Sequence, residues 1–376
     1  MLEWLDDDLR GLAERGRLRT LRPRSGIDFT SNDYLGLAES EELRSAAVEA
    51  LARGVPIGSG GSRLLRGNHA EHEALESEAA AFFGAEAALY FGAGFVANMA
   101  IFSTLPQRGD LVVHDELIHA SAHEGLRRGR AETVGVAHND ADAFEAAITR
   151  WRRAGGKGQA WIAVESLYSM DGDSPRLAEL LAVADRHEAM LVVDEAHATG
   201  VLGPQGRGLA ASLEGRDNVI TLHTCGKALG TIGGFVLAPR RIREFLINRA
   251  RPFIFATAPS PLTAAVTRVA INISATDPTR RDRLARLVDY AGRELRRCCG
   301  VEPSGSQIIP VIVGADHAAV ALAASLQARG FDVRAIRPPT VAEGTARLRI
   351  AITLNVDEAM VTQLFEALGA ELRQAA

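Results

Sequence analysis

The chain has 376 residues, 47% hydrophobic and 24% charged, with a net charge of −5, a composition ordinary for a soluble globular protein and long enough for about two domains. It lacks the basic surplus of a nucleic-acid partner, and no apolar stretch approaches the length of a membrane span. Its three cysteines, Cys225, Cys298 and Cys299, form neither a disulfide framework nor a CxxC zinc pattern, so a reducing, cytoplasmic setting is expected.

The opening MLEWLDDDLRGLAERGRLRTL places acids where a secretory leader would be basic, and it reads as an amphipathic helix within an N-terminal segment 1–45. Next comes PIGSGGSRLLRG (56–67), a glycine-rich loop with Arg63 and Arg66. It could bind phosphate or simply flex, and no strand precedes it as a dinucleotide fingerprint would need. The strand AALYF (87–91) runs into FGAGFVANMA (91–100), where Gly92 and Gly94 open a helix. Free N–H groups there would suit an anion, or the glycines mark an ordinary turn; a Walker A loop is excluded because no GK[ST] follows.

After the strand at 110–115, HDELIHASAHEG (114–125) holds His119 and His123 at the i, i+4 spacing of a metal pair, but no third ligand is evident. A strand at 132–138 precedes a helix at 140–154 that either Asp140 or Asp142 could cap. The strand at 160–166 ends near Ser169 and the turn Asp171-Gly172-Asp173, whose spacing is not that of an EF-hand. A helix at 176–189 leads into MLVVDEAH (190–197). Asp194 follows three apolar residues and should be deep, where a carboxylate needs a donor or a cation. It could cap a turn, or pair with a protonated ring nitrogen; His197 could be an ordinary core histidine or part of the same site.

The strand 218–224 runs into TCGKALG, with Lys227 among small and apolar residues. Such a lysine either reaches out to water or, if buried, sheds its proton and becomes a nucleophile. The strand 233–238 completes seven apolar runs alternating with helices over a large domain, 46–277. Runs without polar alternation are buried on both faces, which predicts a mostly parallel seven-stranded α/β sheet with ligands beyond the strand carboxyl ends. A long helix ends before Asp277, and strands at 308–314, 332–338 and 347–353 mark a smaller α+β C-terminal domain, 278–376. Arg347 and Arg349 share one face of the last strand, as a carboxylate fork or a solvated edge.

A lysine, an aspartate, a histidine and an anion-binding helix start, each at a strand end, suit pyridoxal 5'-phosphate. With SNDYLGLA (31–38), GSGGSRLLRGNHAEHEALE (58–76), HDELIHAS, SLYSMDGD, VDEAHATGVLGPQGRG and TCGKALG, nearly the whole chain resembles the α-oxoamine synthases, transferases of the fold type I pyridoxal-phosphate class. The resemblance implies that Lys227 holds the cofactor as a Schiff base and acts as the base. It also implies that Asp194 pairs with the pyridine nitrogen, that His197 bonds the phenolic oxygen and that His119 stacks on the ring, so the HxxxH is not a metal pair. Gly94 and Phe95 would give amides to the phosphate, Ser169 and Thr224 would lie near the cofactor's oxygens, and Thr257 would reach the phosphate of the neighbouring subunit in a homodimer. Arg349 would grip the amino acid carboxylate, with Asn32 and Arg19 as further substrate contacts.

The stretch AIRPPTVAEGTARLRI (335–350) is most similar to the family member that condenses L-alanine with a pimeloyl thioester in biotin synthesis. A family member joining glycine to acetyl-CoA or another α-oxoamine synthase, a non-catalytic scaffold subunit and a metal hydrolase are the alternatives. Ala93, where the family often has serine, Cys225, where it often has an aromatic residue, and the charges of Arg63 and Arg66 are departures.

Overall fold

The computed structural model describes residues 2–375, which form two compact units. One comprises Leu35–Tyr168 and Ser174–Arg281; the other comprises the residues up to Tyr34, the short stretch Ser169–Asp173 and the residues from Asp282 onward. The pattern of strands and helices in the sequence places its divisions at 45/46 and 277/278. In chain order the strands are β1 (Ile27–Asp28), β2 (Ala87–Phe91), β3 (Leu111–Asp115), β4 (Glu132–Val136), β5 (Ala160–Glu165), β6 (Met190–Asp194), β7 (Val219–Thr224), β8 (Gly234–Ala238), β9 (Ile308–Gly314), β10 (Phe331–Asp332), β11 (Ala335–Ile336) and β12 (Ala346–Ala351).

In the larger unit, seven strands form one sheet in the order β2-β8-β7-β6-β5-β3-β4. All neighbours are parallel except those of β8, which runs antiparallel to both β2 and β7. The absence of polar alternation follows from two cores. Val112, Trp161, Ala163, Val192 and Ile220 pack on one face of the sheet with Ile101 and Phe102. Leu111, Val113, Ile162, Val164, Leu191 and Val193 pack on the other with Phe144, Ile148, Leu180 and Val183. Each fully buried side chain of this kind contributes about 1.5–3 kcal/mol, so the alternation of the strand serves two apolar layers.

The helix Ala141–Arg153 is capped by Asp140, whose Oδ1 accepts from the Ala143 amide at 3.0 Å; Asp142 lies inside the first turn. The long helix Pro261–Thr276 ends at Asp277, where proline follows. The consequence for the site is the alignment of β3, β5, β6 and β7: their carboxyl ends are Asp115, Glu165, Asp194 and Thr224. Register places Glu165 opposite Asp194, and Asp194 opposite Leu222.

In the other unit, β9, β12 and β11 form an antiparallel sheet, and β1 pairs in parallel with β10. The N-terminal stretch is therefore built into the same unit as the C-terminal residues, through Ile27 opposite Phe331. The amphipathic helix expected at the N-terminus spans Glu3–Glu14 and buries none of its side chains. Among the described residues no helix is long and apolar enough to cross a membrane.

Candidate active site

β6 ends at Asp194 because the chain turns there. The Asp194 carbonyl accepts from Ser166 N–H at 2.9 Å, and Glu195 N–H donates to Leu222 at 2.7 Å. Asp194 is 8% exposed. Its Oδ2 accepts from Asn98 Nδ2 at 2.6 Å and its Oδ1 from the Ala196 amide at 2.9 Å. Both carboxylate oxygens thus have a donor, as a buried carboxylate needs.

Asn98 lies in the helix Gly94–Thr104, is buried, and also donates to Ser121 Oγ at 3.0 Å. Ser121 Oγ lies 2.7 Å from His119 Nδ1, and the Ser121 amide donates to the same nitrogen at 3.2 Å. Nδ1 therefore serves as an acceptor, and the ring proton belongs on Nε2. Burial holds the His119 imidazolium below its ordinary pKa; the nearby Asp194 opposes this and Lys227 adds to it. A chain of four side chains, Asp194–Asn98–Ser121–His119, thus fixes both the carboxylate and a neutral imidazole. Sequence reasoning missed Asn98 and Ser121. The available signal was a lone amide inside the apolar run GFVANMAIFST.

Glu195, adjacent to Asp194, is fully buried and turns elsewhere. It accepts from Ser166 Oγ at 2.7 Å, from Leu209 N–H at 3.1 Å and from Ala210 N–H. Burial pushes its carboxyl up, against the influence of His223 and those donors. Its role is to close the loop that follows His197, which is itself buried.

Lys227 stands three residues beyond β7, half-buried in a turn. That turn is held by Cys225 N–H to Gly233 O at 2.9 Å and Thr231 N–H to Cys225 O at 2.9 Å, around a fully buried Cys225. Lys227 Nζ lies 3.5 Å from Thr224 Oγ1, which donates its own proton to the Ala196 carbonyl at 3.2 Å. The helix Gly94–Thr104 begins beside the same threonine: a Cβ on Gly94 would fall 2.4 Å from Thr224 Cγ2. Ala93, at the N-cap, makes no side-chain bond to that helix start. The first amides, including those of Gly94 and Phe95, are thus offered to an anion. Phe95 is 44% exposed, with its ring perpendicular to that of His119 at 6.5 Å.

These features fit pyridoxal phosphate: an amine, a buried carboxylate with a donor on each oxygen, a neutral imidazole and an uncapped helix start at neighbouring strand ends. The HxxxH histidines take different partners, His123 lying perpendicular to His114 at 5.1 Å. Among the described residues no group of three or more His, Cys, Asp or Glu side chains could hold a metal. Thr257 is exposed, between the helices Arg251–Ile254 and Pro261–Thr276. Arg63 is committed to partners within the chain. Its guanidinium pairs with Glu76 at 2.8 Å, its Nε donates to Asn68 at 2.6 Å, and its side chain is 7% exposed. Arg66 is exposed.

The smaller unit holds the remaining candidates. Arg349 on β12 is 6% exposed. Its Nε donates to the Ser169 carbonyl at 2.6 Å, and its Nη2 lies 3.4 Å from Tyr34 Oη. The Tyr34 hydroxyl donates to Asn32 Oδ1 at 3.0 Å. Burial pushes the Tyr34 phenol up despite Arg349 beside it. Arg19 Nη2 lies 3.3 Å from the Pro338 carbonyl.

Residues 24–368 match the family of aminotransferases of class I and II. The 8-amino-7-oxononanoate synthase of Anaeromyxobacter dehalogenans (strain 2CP-1) is 42% identical, over 99% of this chain and 96% of its own. That of Burkholderia thailandensis is 40% identical, over 99% and 97%. Among solved structures, the serine palmitoyltransferase of S. paucimobilis, with bound PLP-myriocin, superposes with a TM-score of 0.89 at 28% identity, covering 99% of this chain and 98% of that one. The 8-amino-7-oxononanoate synthase of Francisella tularensis gives 0.77 at 28% identity, covering 93% and 99%.

Fold and site define a pyridoxal-phosphate transferase of fold type I, a large domain with a mostly parallel seven-stranded sheet and a smaller α+β C-terminal domain. The chain belongs to the α-oxoamine synthase family, acyltransferases that join an amino acid to an acyl thioester on pyridoxal phosphate.

Asn98→Ala removes one bond to the Asp194 carboxylate and one to Ser121 Oγ. Losing a hydrogen bond to a charge costs about 1.5–3 kcal/mol, so cofactor affinity should fall on the order of tenfold. Titrating the apoprotein with pyridoxal phosphate measures this, and an unchanged dissociation constant contradicts it.

Proposed function

We propose that the chain condenses L-alanine with a pimeloyl thioester, on coenzyme A or on a carrier protein, giving 8-amino-7-oxononanoate, CO2 and the free thiol. The observation that carries this choice of substrates is the 42% identity, over 99% of the chain, to enzymes of that name. A second reading, another α-oxoamine synthase acting on a different amino acid and acyl chain, is favoured by the TM-score of 0.89 to a serine palmitoyltransferase against 0.77 to an 8-amino-7-oxononanoate synthase.

Bound pyridoxal phosphate supplies an electron sink for the bond broken at the amino acid's α-carbon. Lys227 would hold the cofactor through Nζ, and the same amine, once free, would take the amino acid's α-proton and return one. Asp194, positioned by Asn98 and the Ala196 amide, would pair with the pyridine nitrogen. His197 holds the phenolic oxygen. The amides of Gly94 and Phe95 hold the phosphate, with Thr224 and Ser169 at further oxygens and Thr257 reaching the phosphate of the neighbouring subunit in a homodimer. His119 stacks on the ring; with Nδ1 occupied as an acceptor, its Nε2–H is the edge that can donate to an oxygen. Arg349 takes the amino acid carboxylate, and Asn32 and Arg19 complete the substrate contacts.

A panel of amino acids and thioesters tests the choice of substrates. The highest kcat/KM is expected for L-alanine with a pimeloyl thioester; preference for glycine with acetyl-CoA, or for L-serine with a long-chain acyl-CoA, contradicts it. Arg349→Ala should raise the KM for the amino acid by about ten- to a hundredfold, the loss of charge-assisted bonds, and leave cofactor affinity unchanged. Equal amino acid kinetics in variant and parent rule out the carboxylate role.

A further inference from the structure

The Asp171-Gly172-Asp173 turn and Arg347 have no part in the chemistry above, yet they meet. Asp171 and Arg347 are 176 positions apart, and Arg347 Nη1 lies 2.5 Å from Asp171 Oδ1 and 3.4 Å from the Met170 carbonyl. The Arg347 side chain is 7% exposed and that of Asp171 30%. The Arg347 Nε is occupied by the Thr345 carbonyl at 3.0 Å, so the guanidinium is fixed from both ends. The turn is also seated by Gly172, at φ +70°, where a Cβ would fall 2.3 Å from the Ile308 carbonyl and 2.7 Å from Ser306 Oγ.

Arg349, two residues along β12 on the same face, uses this same stretch. Its Nε donates to the Ser169 carbonyl at 2.6 Å. That bond, with Tyr34 Oη at Nη2, sets the plane of the guanidinium. Among the described residues no group accepts from Arg349 Nη1, which leaves the Nη edge for a carboxylate. Bidentate recognition depends on that plane, and small displacements of a positioning group weaken binding strongly.

We propose that Asp171 and Arg347 are a positioning pair that holds the Ser169 carbonyl in place and so aims Arg349 at the amino acid carboxylate. The proposal rests on the reading of Arg349 as the carboxylate ligand. It assigns the pair a role in amino acid affinity, with no contact to substrate.

The test uses the holoenzyme, following its visible spectrum as L-alanine, glycine and L-serine are added in turn, because all three carry the same carboxylate. Asp171→Asn and Arg347→Met should each weaken amino acid binding on the order of tenfold, the scale of one charge-assisted bond. The double variant should lose no more than the weaker-binding single one, since both remove one contact. Asp171→Glu should recover part of the loss, and the dissociation constant for pyridoxal phosphate and the KM for the thioester should stay put. If Arg347→Met fails to fold, the half-buried Asp171 variants carry the test. Unchanged amino acid affinity, additive losses in the double variant, or a parallel loss of cofactor and thioester affinity overturns the positioning role. Arg349→Ala is run beside them. If it alone weakens binding, the pair has no part; if it too leaves affinity unchanged, the carboxylate reading itself has failed.

Discussion

Lys227→Ala is expected to abolish condensation while leaving a folded protein that still takes up pyridoxal phosphate. Nζ is the one amine in the turn after β7, and it sits beside Thr224, whose hydroxyl is already committed to the Ala196 carbonyl. Neither Thr224 nor His119 is placed to inherit a base's work at that point. His119 Nδ1 is occupied by two donors from Ser121. General-base catalysis accounts for about 10^2–10^4-fold in rate, and losing the covalent anchor adds to the deficit, so turnover should drop by at least about 10^4-fold. The roles proposed for Gly94, Asp194 and His197 at the phosphate and ring do not depend on Lys227, so reversible cofactor binding should persist. Product formation at the parent rate, read by mass spectrometry, contradicts the role.

Asp194→Asn is expected to give the second-largest loss. The substitution keeps the shape and at least part of the bonding to Asn98 and Ala196, and removes the negative charge. A neutral amide cannot hold a proton on a pyridine nitrogen, and the electron sink weakens. Removing one preorganised electrostatic contact costs on the order of 10^2–10^3-fold in kcat, so that range is expected, with cofactor affinity falling far less. The sign follows from the charge: a variant that retains the carboxylate, such as Asp194→Glu, should keep more activity than Asp194→Asn if charge matters more than placement. Equal kcat in Asp194→Asn and the parent contradicts the assignment.

The sheet was legible because every central strand is apolar on both faces, and the two cores explain why. Asp140 was legible as one of two caps, and the structure selects it through its bond to the Ala143 amide. The end of β6 was less so: the apolar run and the acids after it read as one strand to residue 197, whereas the backbone leaves the sheet at Glu195, whose side chain turns back to Leu209 and Ala210. Single residues at strand ends, Lys227, Asp194 and His119, could be picked out because a charge or imidazole in an apolar setting needs a reason. Asn98 and Ser121 could not, since an amide and a hydroxyl are neutral and gain meaning only from partners up to 96 positions away. Arg63 looked like a loop cation because its partner, Glu76, lies on the next helix. Pairing of Ile27 with Phe331, and of Asp171 with Arg347, joins distant segments through one or two residues and leaves no periodic trace.

The most direct test of the central claim is to reduce the purified holoenzyme with borohydride, which converts a reversible carbon–nitrogen double bond into a permanent one, and then to map the modified peptide by mass spectrometry. Pyridoxyl phosphate fixed to Lys227, and lost when L-alanine is added before the reductant, is the expected result. A protein that binds pyridoxal phosphate yet carries no label, or carries it on Lys157 in place of Lys227, contradicts the claim that this lysine is the anchor and the base.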